Sequence, residues 1–168
     1  VYNPAALSGD AGLRIKRLLQ VISKIHTVEC GEIPVAPATN AVGAMDMGLV
    51  PDFYPGGVSV KDREQVQSLW GEKAPTQSGL SALEMIAKAK SGDLKALLVH
   101  RSNPAVDFPG GVQVVEAFKN LDLLVVHDML ETETTQLAKI VLPSNGPGFD
   151  EGTTTNIGGR VQARRKSL

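Results

Sequence analysis

The clearest pattern of hydrophobic and polar positions comes from three apolar runs in the second half of the sequence. They are ALLVH (96–100), LLVVHD (123–128) and KIVLP (139–143). Runs this continuous are typical of strands buried on both faces of a parallel sheet. Residues 111–120 and 132–138, which lie between the runs, have helical spacing and predict right-handed βαβ crossovers. We therefore expect a three-layer α/β domain in which the three strands are parallel and adjacent.

The first half of the sequence predicts further helices. Ser8 has the side chain of an N-cap, and apolar residues then recur at three- and four-residue steps as far as Ile25. A short helix is expected over 61–70, and Gly71 should end it. Residues 81–84 have the spacing of a capping box and predict a helix that reaches residue 90.

The segment between these helices is rich in proline and glycine. Residues 37–57 show little helical or strand periodicity. We expect almost no regular structure there, and we expect the segment to pack near the carboxyl edge of the sheet, since it is too long for a simple connection.

Composition narrows the classes of function. The 168 residues carry a net charge of −1, which gives no general argument for a nucleic-acid partner. No apolar run approaches the length of a membrane span, so we expect no direct membrane insertion. Cys30 is the only cysteine and forms no recognised metal-site spacing with its neighbours His26, Glu29 and Glu32, so we expect no metal site. The chain begins without Met, and we interpret it as a single α/β domain (1–168) of a longer protein.

Polar residues follow each of the three apolar runs. The segments 100–104, 127–134 and 143–152 would all meet at the carboxyl edge of a parallel sheet, where ligands of such sheets bind. His100 and His127 end two of the runs, and we interpret both as strand-end hydrogen-bonding residues rather than catalysts. The alternative is that these polar segments only cap the strands.

Asp128 and Thr132 are the best candidates for a nucleotide site. The carboxylate of Asp128 suits the adjacent N–H donors of a guanine, or a ribose diol. Thr132 could donate through its hydroxyl at the start of the following helix. The competing interpretation is that both residues only cap that helix.

Several blocks of the sequence together resemble the molybdopterin oxidoreductases. They are NAVGAMDMGLVPDFYPGG, SGDLKALLVHRSNPAVDFP, LDLLVVHDMLETETTQLAKIVLPS and DEGTTTNIGGRVQ. The resemblance extends from Thr39 to Lys166. Within the family, the sequence most resembles formate dehydrogenase α chains and the large iron–sulfur chain of NADH–quinone oxidoreductase.

The resemblance implies a Rossmann-like domain that cradles the guanine end of a molybdopterin guanine dinucleotide. In the family, the positions of Asp128 and Thr132 contact the dinucleotide. Asn103, Ser102 and Gly152 lie in matching segments and are carried over as further cofactor-binding candidates. The resemblance implies no metal ligand and no catalytic residue in this part of the chain.

Departures from the family pattern favour the NADH–quinone oxidoreductase branch over formate dehydrogenase. Arg101 stands where the family usually has a glycine, and its side chain could fill the pocket by pairing with Asp128. Ala36 and Ala38 stand where formate dehydrogenases have an arginine and a glutamine, and Lys139 replaces an aspartate.

The sequence therefore predicts a cofactor-cradling domain of a molybdopterin-family oxidoreductase, most similar to the NADH–quinone oxidoreductase branch and inactive alone. The alternative is a cofactor-free structural module that holds subunits of a respiratory complex together. Molybdopterin guanine dinucleotide is expected only in the full-length parent, and none in the isolated domain. Expected partners are the remaining domains and other redox subunits, in the cytoplasm or peripheral to a membrane through a complex.

Overall fold

The computed structural model describes residues 10–26, 39–146 and 148–167. The proposed N-cap Ser8, together with Cys30, Ala36 and Ala38, lies outside the described residues. No helix in the described ranges is long and apolar enough to cross a membrane.

Helices and strands alternate along most of the described chain. The helices are α1 (Asp10–His26), α2 (Ala41–Asp46), α3 (Arg63–Trp70), α4 (Ala82–Ser91), α5 (Pro104–Asp107), α6 (Gly111–Lys119) and α7 (Glu133–Leu137). The strands are β1 (Phe53–Tyr54), β2 (Val58–Ser59), β3 (Ala96–His100), β4 (Leu123–Asp128), β5 (Ile140–Pro143), β6 (Gly152–Thr155) and β7 (Val161–Arg164).

The three apolar runs form one parallel sheet. Strand β4 lies in the centre, with β3 and β5 on either side, and both pairings are parallel. The register places His100 beside His127 and Asp128 beside Pro143. The predicted α/β class, with adjacent parallel strands joined through helices, is confirmed.

The predicted helix boundaries are explained by local caps. In α3, Asp62 accepts a hydrogen bond from Gln65 N–H, and Gly71 follows the last turn. In α4 both halves of the capping box between Ser81 and Glu84 are present. Gly92 then ends the helix in the left-handed conformation, which glycine adopts without steric cost.

The described core lies on one face of the sheet. Val99, Leu124 and Val126 pack with Ala117 and Phe118 and with other buried residues of α4 and α6. Because side chains alternate along a strand, these three strand residues share a face. On β3 and β4 this face is therefore buried under α4 and α6.

The opposite face of the sheet is open among the described residues. Leu98 on β3 is 64% exposed, and Ile140 and Leu142 on β5 are each 47% exposed. The prediction that all three strands are buried on both faces is wrong for β3, where alternate residues are exposed, and for β5, where every residue is exposed. An apolar run predicts a strand that can be buried on both faces, but it does not show whether another element of the chain covers each face.

Residues 37–57 are more regular than predicted. Helix α2 and the antiparallel β1–β2 pair fall within or beside this segment, so the prediction of almost no regular structure is wrong. Asn40 explains part of the order, because its Oδ1 accepts a 2.9 Å hydrogen bond from Thr155 N–H in β6. A Cβ at Gly43 would lie 2.4 Å from that same oxygen, so the close approach requires glycine. Packing of this segment at the carboxyl edge of the parallel sheet stays a prediction.

The glycine-rich passage after β5 forms a hairpin. Strands β6 and β7 pair antiparallel, with Thr155 beside Val161. Asn156 holds the turn, since its Oδ1 accepts from the N–H groups of Gly158 and Arg160. An asparagine two residues before a pair of glycines was the available sequence signal for this turn.

Candidate functional site

Asn103 joins the end of β3 to the start of α7. Its Oδ1 accepts hydrogen bonds from Thr134 N–H at 3.3 Å and Thr134 Oγ1 at 2.7 Å. Its Nδ2 donates to Glu133 Oε2 at 2.8 Å, and this bond lowers the pKa of Glu133 below its ordinary value. The side-chain hydrogen bonds of Asn103 therefore position α7 at the carboxyl edge of the sheet.

Thr132 caps α7 rather than pointing its hydroxyl into a cleft. Its Oγ1 accepts from Thr135 N–H at 3.3 Å, and Thr135 Oγ1 accepts from Thr132 N–H at 2.8 Å. These two bonds form a capping box. The capping interpretation is thus what the local geometry shows, and a cofactor contact by Thr132 stays a prediction.

Asp128 lies at the carboxyl end of the central strand, beside a pocket of ≈ 390 Å³. Its Oδ1 accepts a 2.7 Å hydrogen bond from Met129 N–H. The pocket is lined by Asp128, Met129, Leu130, Glu131, Thr135, Gln136, Val141 and Pro143. Its volume lies within the range of about 300–1,000 Å³ that is usual for small-molecule sites.

The five candidate residues do not line one common pocket. Ser102 lines a separate, mainly apolar pocket of ≈ 250 Å³ between α4, β3 and α6. Gly152 is exposed at the start of β6, and a Cβ there would meet no atom within 4 Å. Asn103 and Thr132 lie at the start of α7 and line neither pocket.

Sequence reasoning missed the other side of the Asp128 pocket. Gln136 and Val141 line it, from α7 and β5. Neither residue has unusual chemistry in the sequence. Their contribution follows from the pairing of β5 beside β4, which brings α7 over this edge.

Arg101 turns away from Asp128. Its Nε donates to Ser144 Oγ at 3.3 Å, its Nη2 donates to Asn145 O, and the guanidinium lies 3.5 Å from Asp150. The pairing of Arg101 with Asp128 that would have filled the pocket is therefore not what the structure shows. Arg101 instead fastens the loop after β5 to the end of β3, and its backbone has a φ of 46°.

The two strand-end histidines contact each other. Nδ1 of His100 lies 2.8 Å from Nδ1 of His127, and the ring centroids are 4.7 Å apart. Their interpretation as strand-end hydrogen-bonding residues is confirmed. That they bond to each other could not be predicted, because it depends on the β3–β4 register.

The sequence model of a family described as "Molybdopterin oxidoreductase" matches residues 13–168. The chain belongs to this family. This description implies a molybdopterin cofactor in full-length relatives. Of the candidate residues, Asp128 alone lines the pocket of ≈ 390 Å³, whereas Asn103 and Thr132 are already engaged in holding α7.

Relatives of known sequence fall into several branches. NADPH-Fe(3+) oxidoreductase subunit alpha of Geobacter sulfurreducens is 35% identical over 82% of this chain. F420-dependent formate dehydrogenase subunit alpha of Methanocaldococcus jannaschii is 35% identical over 95% of it. A subunit of the NADH-quinone oxidoreductase of Rhizobium meliloti is 36% identical over 76% of it.

The chain spans only a small part of these relatives. The aligned region covers 16% of the Geobacter protein, 24% of the Methanocaldococcus protein and 15% of the Rhizobium protein. The three relatives have nearly equal identity to this chain, so the similarity does not select one branch.

Proposed function

We propose that this chain is the cofactor-cradling domain of a larger molybdopterin-family oxidoreductase, of the type of the large iron–sulfur chain of NADH–quinone oxidoreductase. In this proposal residues 1–168 form a single domain that binds the guanine end of a molybdopterin guanine dinucleotide and is inactive alone. The observation that carries the proposal is the position of Asp128, at the carboxyl end of the central strand and beside a pocket of ≈ 390 Å³.

The chemistry of the pocket supports a guanine. The carboxylate of Asp128 accepts from the N1–H and N2–H₂ groups of the base, which present two donors side by side. Val141 and Pro143 offer apolar surface to the ring, and the Gln136 amide lies in the same lining. The cofactor's metal supplies the redox chemistry when it is bound, and the residues here bind and orient the distant nucleotide.

A cofactor-free structural module is the second candidate. The open apolar face of the sheet, with Leu98 and Ile140 exposed, supports it because such a face suits another protein surface. Arg101 does not support it, because its side chain binds the loop after β5 instead of filling the pocket beside Asp128. Under either candidate the proposed partners are the remaining domains of the parent chain and other subunits of a redox complex.

Calorimetric titration with GDP separates the two candidates. We expect wild-type heat with GDP, none in Asp128→Ala, and no heat with ADP, since adenine lacks the paired donors. Asp122→Ala is the matched control, because Asp122 is an exposed aspartate just before the other end of β4. Binding should be weak, since the loops must be ordered when the ligand binds. The absence of heat at millimolar GDP would favour the structural module.

A further inference from the structure

His100 and His127 bring two ring nitrogens together on the open face of the sheet. They are register partners on neighbouring parallel strands, so both side chains leave the sheet on the same side. Their Nδ1 atoms are 2.8 Å apart and their rings are tilted by 43°. In this hydrogen bond one Nδ1 donates and the other accepts, and the tautomer of each ring decides which.

We propose that this pair binds a divalent transition-metal ion that prefers right-angled coordination, such as Cu²⁺ or Ni²⁺. With metal–nitrogen bonds of about 2.0 Å, two ligands at a right angle are separated by about 2.8 Å, and two ligands at a tetrahedral angle by about 3.3 Å. The observed Nδ1–Nδ1 distance of 2.8 Å is that of a hydrogen bond between the rings, and it equals the separation of two ligands at a right angle, so the rings need only turn their Nδ1 lone pairs towards the ion. Square-planar and tetragonal nitrogen sites are typical of Cu²⁺ and Ni²⁺.

The ion takes the place of the proton between the two Nδ1 atoms. That proton stays on the protein, so a neutral pair loses no proton when the ion binds. Before binding, one ring carries its proton on Nδ1 and the other carries it on Nε2. On binding, the first ring moves its proton to its own Nε2, and both Nδ1 lone pairs then bind the metal. A pair that holds an additional proton releases that proton to solvent.

The surroundings define a two-histidine site completed by water. No cluster of three or more His, Cys, Asp or Glu occurs in the part of the chain that the structure describes. Leu98 and Leu142 share this face of the sheet, while Arg101 reaches towards the loop after β5. Asp128 follows His127 and points to the opposite face, so the metal site is independent of the proposed nucleotide pocket.

Copper titration monitored by electron paramagnetic resonance tests the site. We expect one Cu²⁺ per protein molecule, with a spectrum that shows two imidazole nitrogens. Removing one imidazole removes the chelate, so His100→Gln and His127→Gln should each lower Cu²⁺ affinity on the order of 100-fold. The matched control is His26→Gln, because His26 is the only other histidine in the sequence and lies on α1.

The wild-type spectrum decides the question even where a variant folds poorly, which circular dichroism of each variant would reveal. A single coordinated imidazole nitrogen would overturn the proposal. So would a loss of affinity in His26→Gln as large as that in the two strand variants. Two nitrogens, together with unchanged affinity in His26→Gln, would establish the pair as the ligands.

Discussion

Arg101 shows how one side chain can organise the carboxyl edge of this sheet. Its guanidinium reaches Ser144 and Asn145 in the loop after β5 and lies near Asp150. Asp150 also accepts a 3.0 Å hydrogen bond from Arg164 on β7. The cluster joins β3 and the β6–β7 hairpin, and Arg101 contributes to it from the left-handed region of backbone conformation.

Substitution of Arg101 separates backbone strain from side-chain contacts. Arg101→Gly and Arg101→Ala lose the same hydrogen bonds, but only glycine adopts a φ of 46° without a steric penalty. We expect Arg101→Gly to be more stable than Arg101→Ala by about 1 kcal/mol. Urea unfolding of the two variants measures the difference. Equal stability would show that the left-handed backbone at this position costs no measurable free energy.

The Asn103–Glu133 hydrogen bond has a consequence for pH. Because folding lowers the pKa of Glu133, its ionised carboxylate stabilises the folded state above the ordinary value of 4.5. This contribution is lost as the pH falls through the lowered pKa. In Asn103→Ala we expect the pKa of Glu133 to rise towards 4.5, as followed by NMR titration of the side-chain carboxyl carbon.

Glu84 provides the control within the same titration. Hydrogen bonds from Ser81 lower the pKa of Glu84 on α4, and Asn103 takes no part in them. The pKa of Glu84 should therefore be unchanged in Asn103→Ala. An unchanged pKa of Glu133 would show that Asn103 is not the main cause of its shift.

At the scale of single elements, the short helix α7 depends on its cap and on its neighbours. Five residues are too few for a helix to be stable alone. The capping box of Thr132 and Thr135 satisfies its first N–H groups, and Asn103 binds Thr134 from the adjacent loop. The carboxyl edge next to Asp128 is thus shaped by hydrogen bonds within and between elements.

Two substitutions of Thr132 test its role as a cap. Thr132→Ala removes the oxygen that accepts from Thr135 N–H, and we expect a loss of about 1 kcal/mol in unfolding free energy. Thr132→Ser keeps this oxygen, and serine is at least as good an N-cap as threonine. Thermal unfolding of both variants is the measurement, and an equal loss in both would rule out the cap as the cause.

At the scale of the whole molecule, the two faces of the sheet differ sharply in burial. Leu124 on the helix-covered face is 2% exposed, whereas Leu98 on the open face is 64% exposed. Both are leucines in neighbouring strands of the same parallel sheet. The difference arises from what packs on each face and not from the strands themselves.

This contrast predicts unequal effects of the same substitution. Leu124→Ala leaves a cavity in the core and should reduce stability by about 2–5 kcal/mol. Leu98→Ala removes a largely exposed side chain and should change stability by less than about 0.5 kcal/mol. Denaturant unfolding of the two variants tests this, and a large loss from Leu98→Ala would show that the open face is covered in solution.

Sequence alone determined the elements whose signals are local. The apolar runs of β3, β4 and β5 and the capping box at Ser81 were readable because a few neighbouring residues decide them. The carboxyl-edge position of Asp128 followed from its place after an apolar run. The family was also recognisable, since several blocks of residues match it in order.

Tertiary structure decided which of these residues meet. Asn103 and Thr132 are bound into the start of α7, while Val141 and Gln136 complete the pocket of Asp128. The His100–His127 contact and the turn of Arg101 towards Asp150 depend on strand register and loop path. Such contacts join residues far apart in the sequence, so local pattern, which reports on neighbours within a few residues, carries no signal for them.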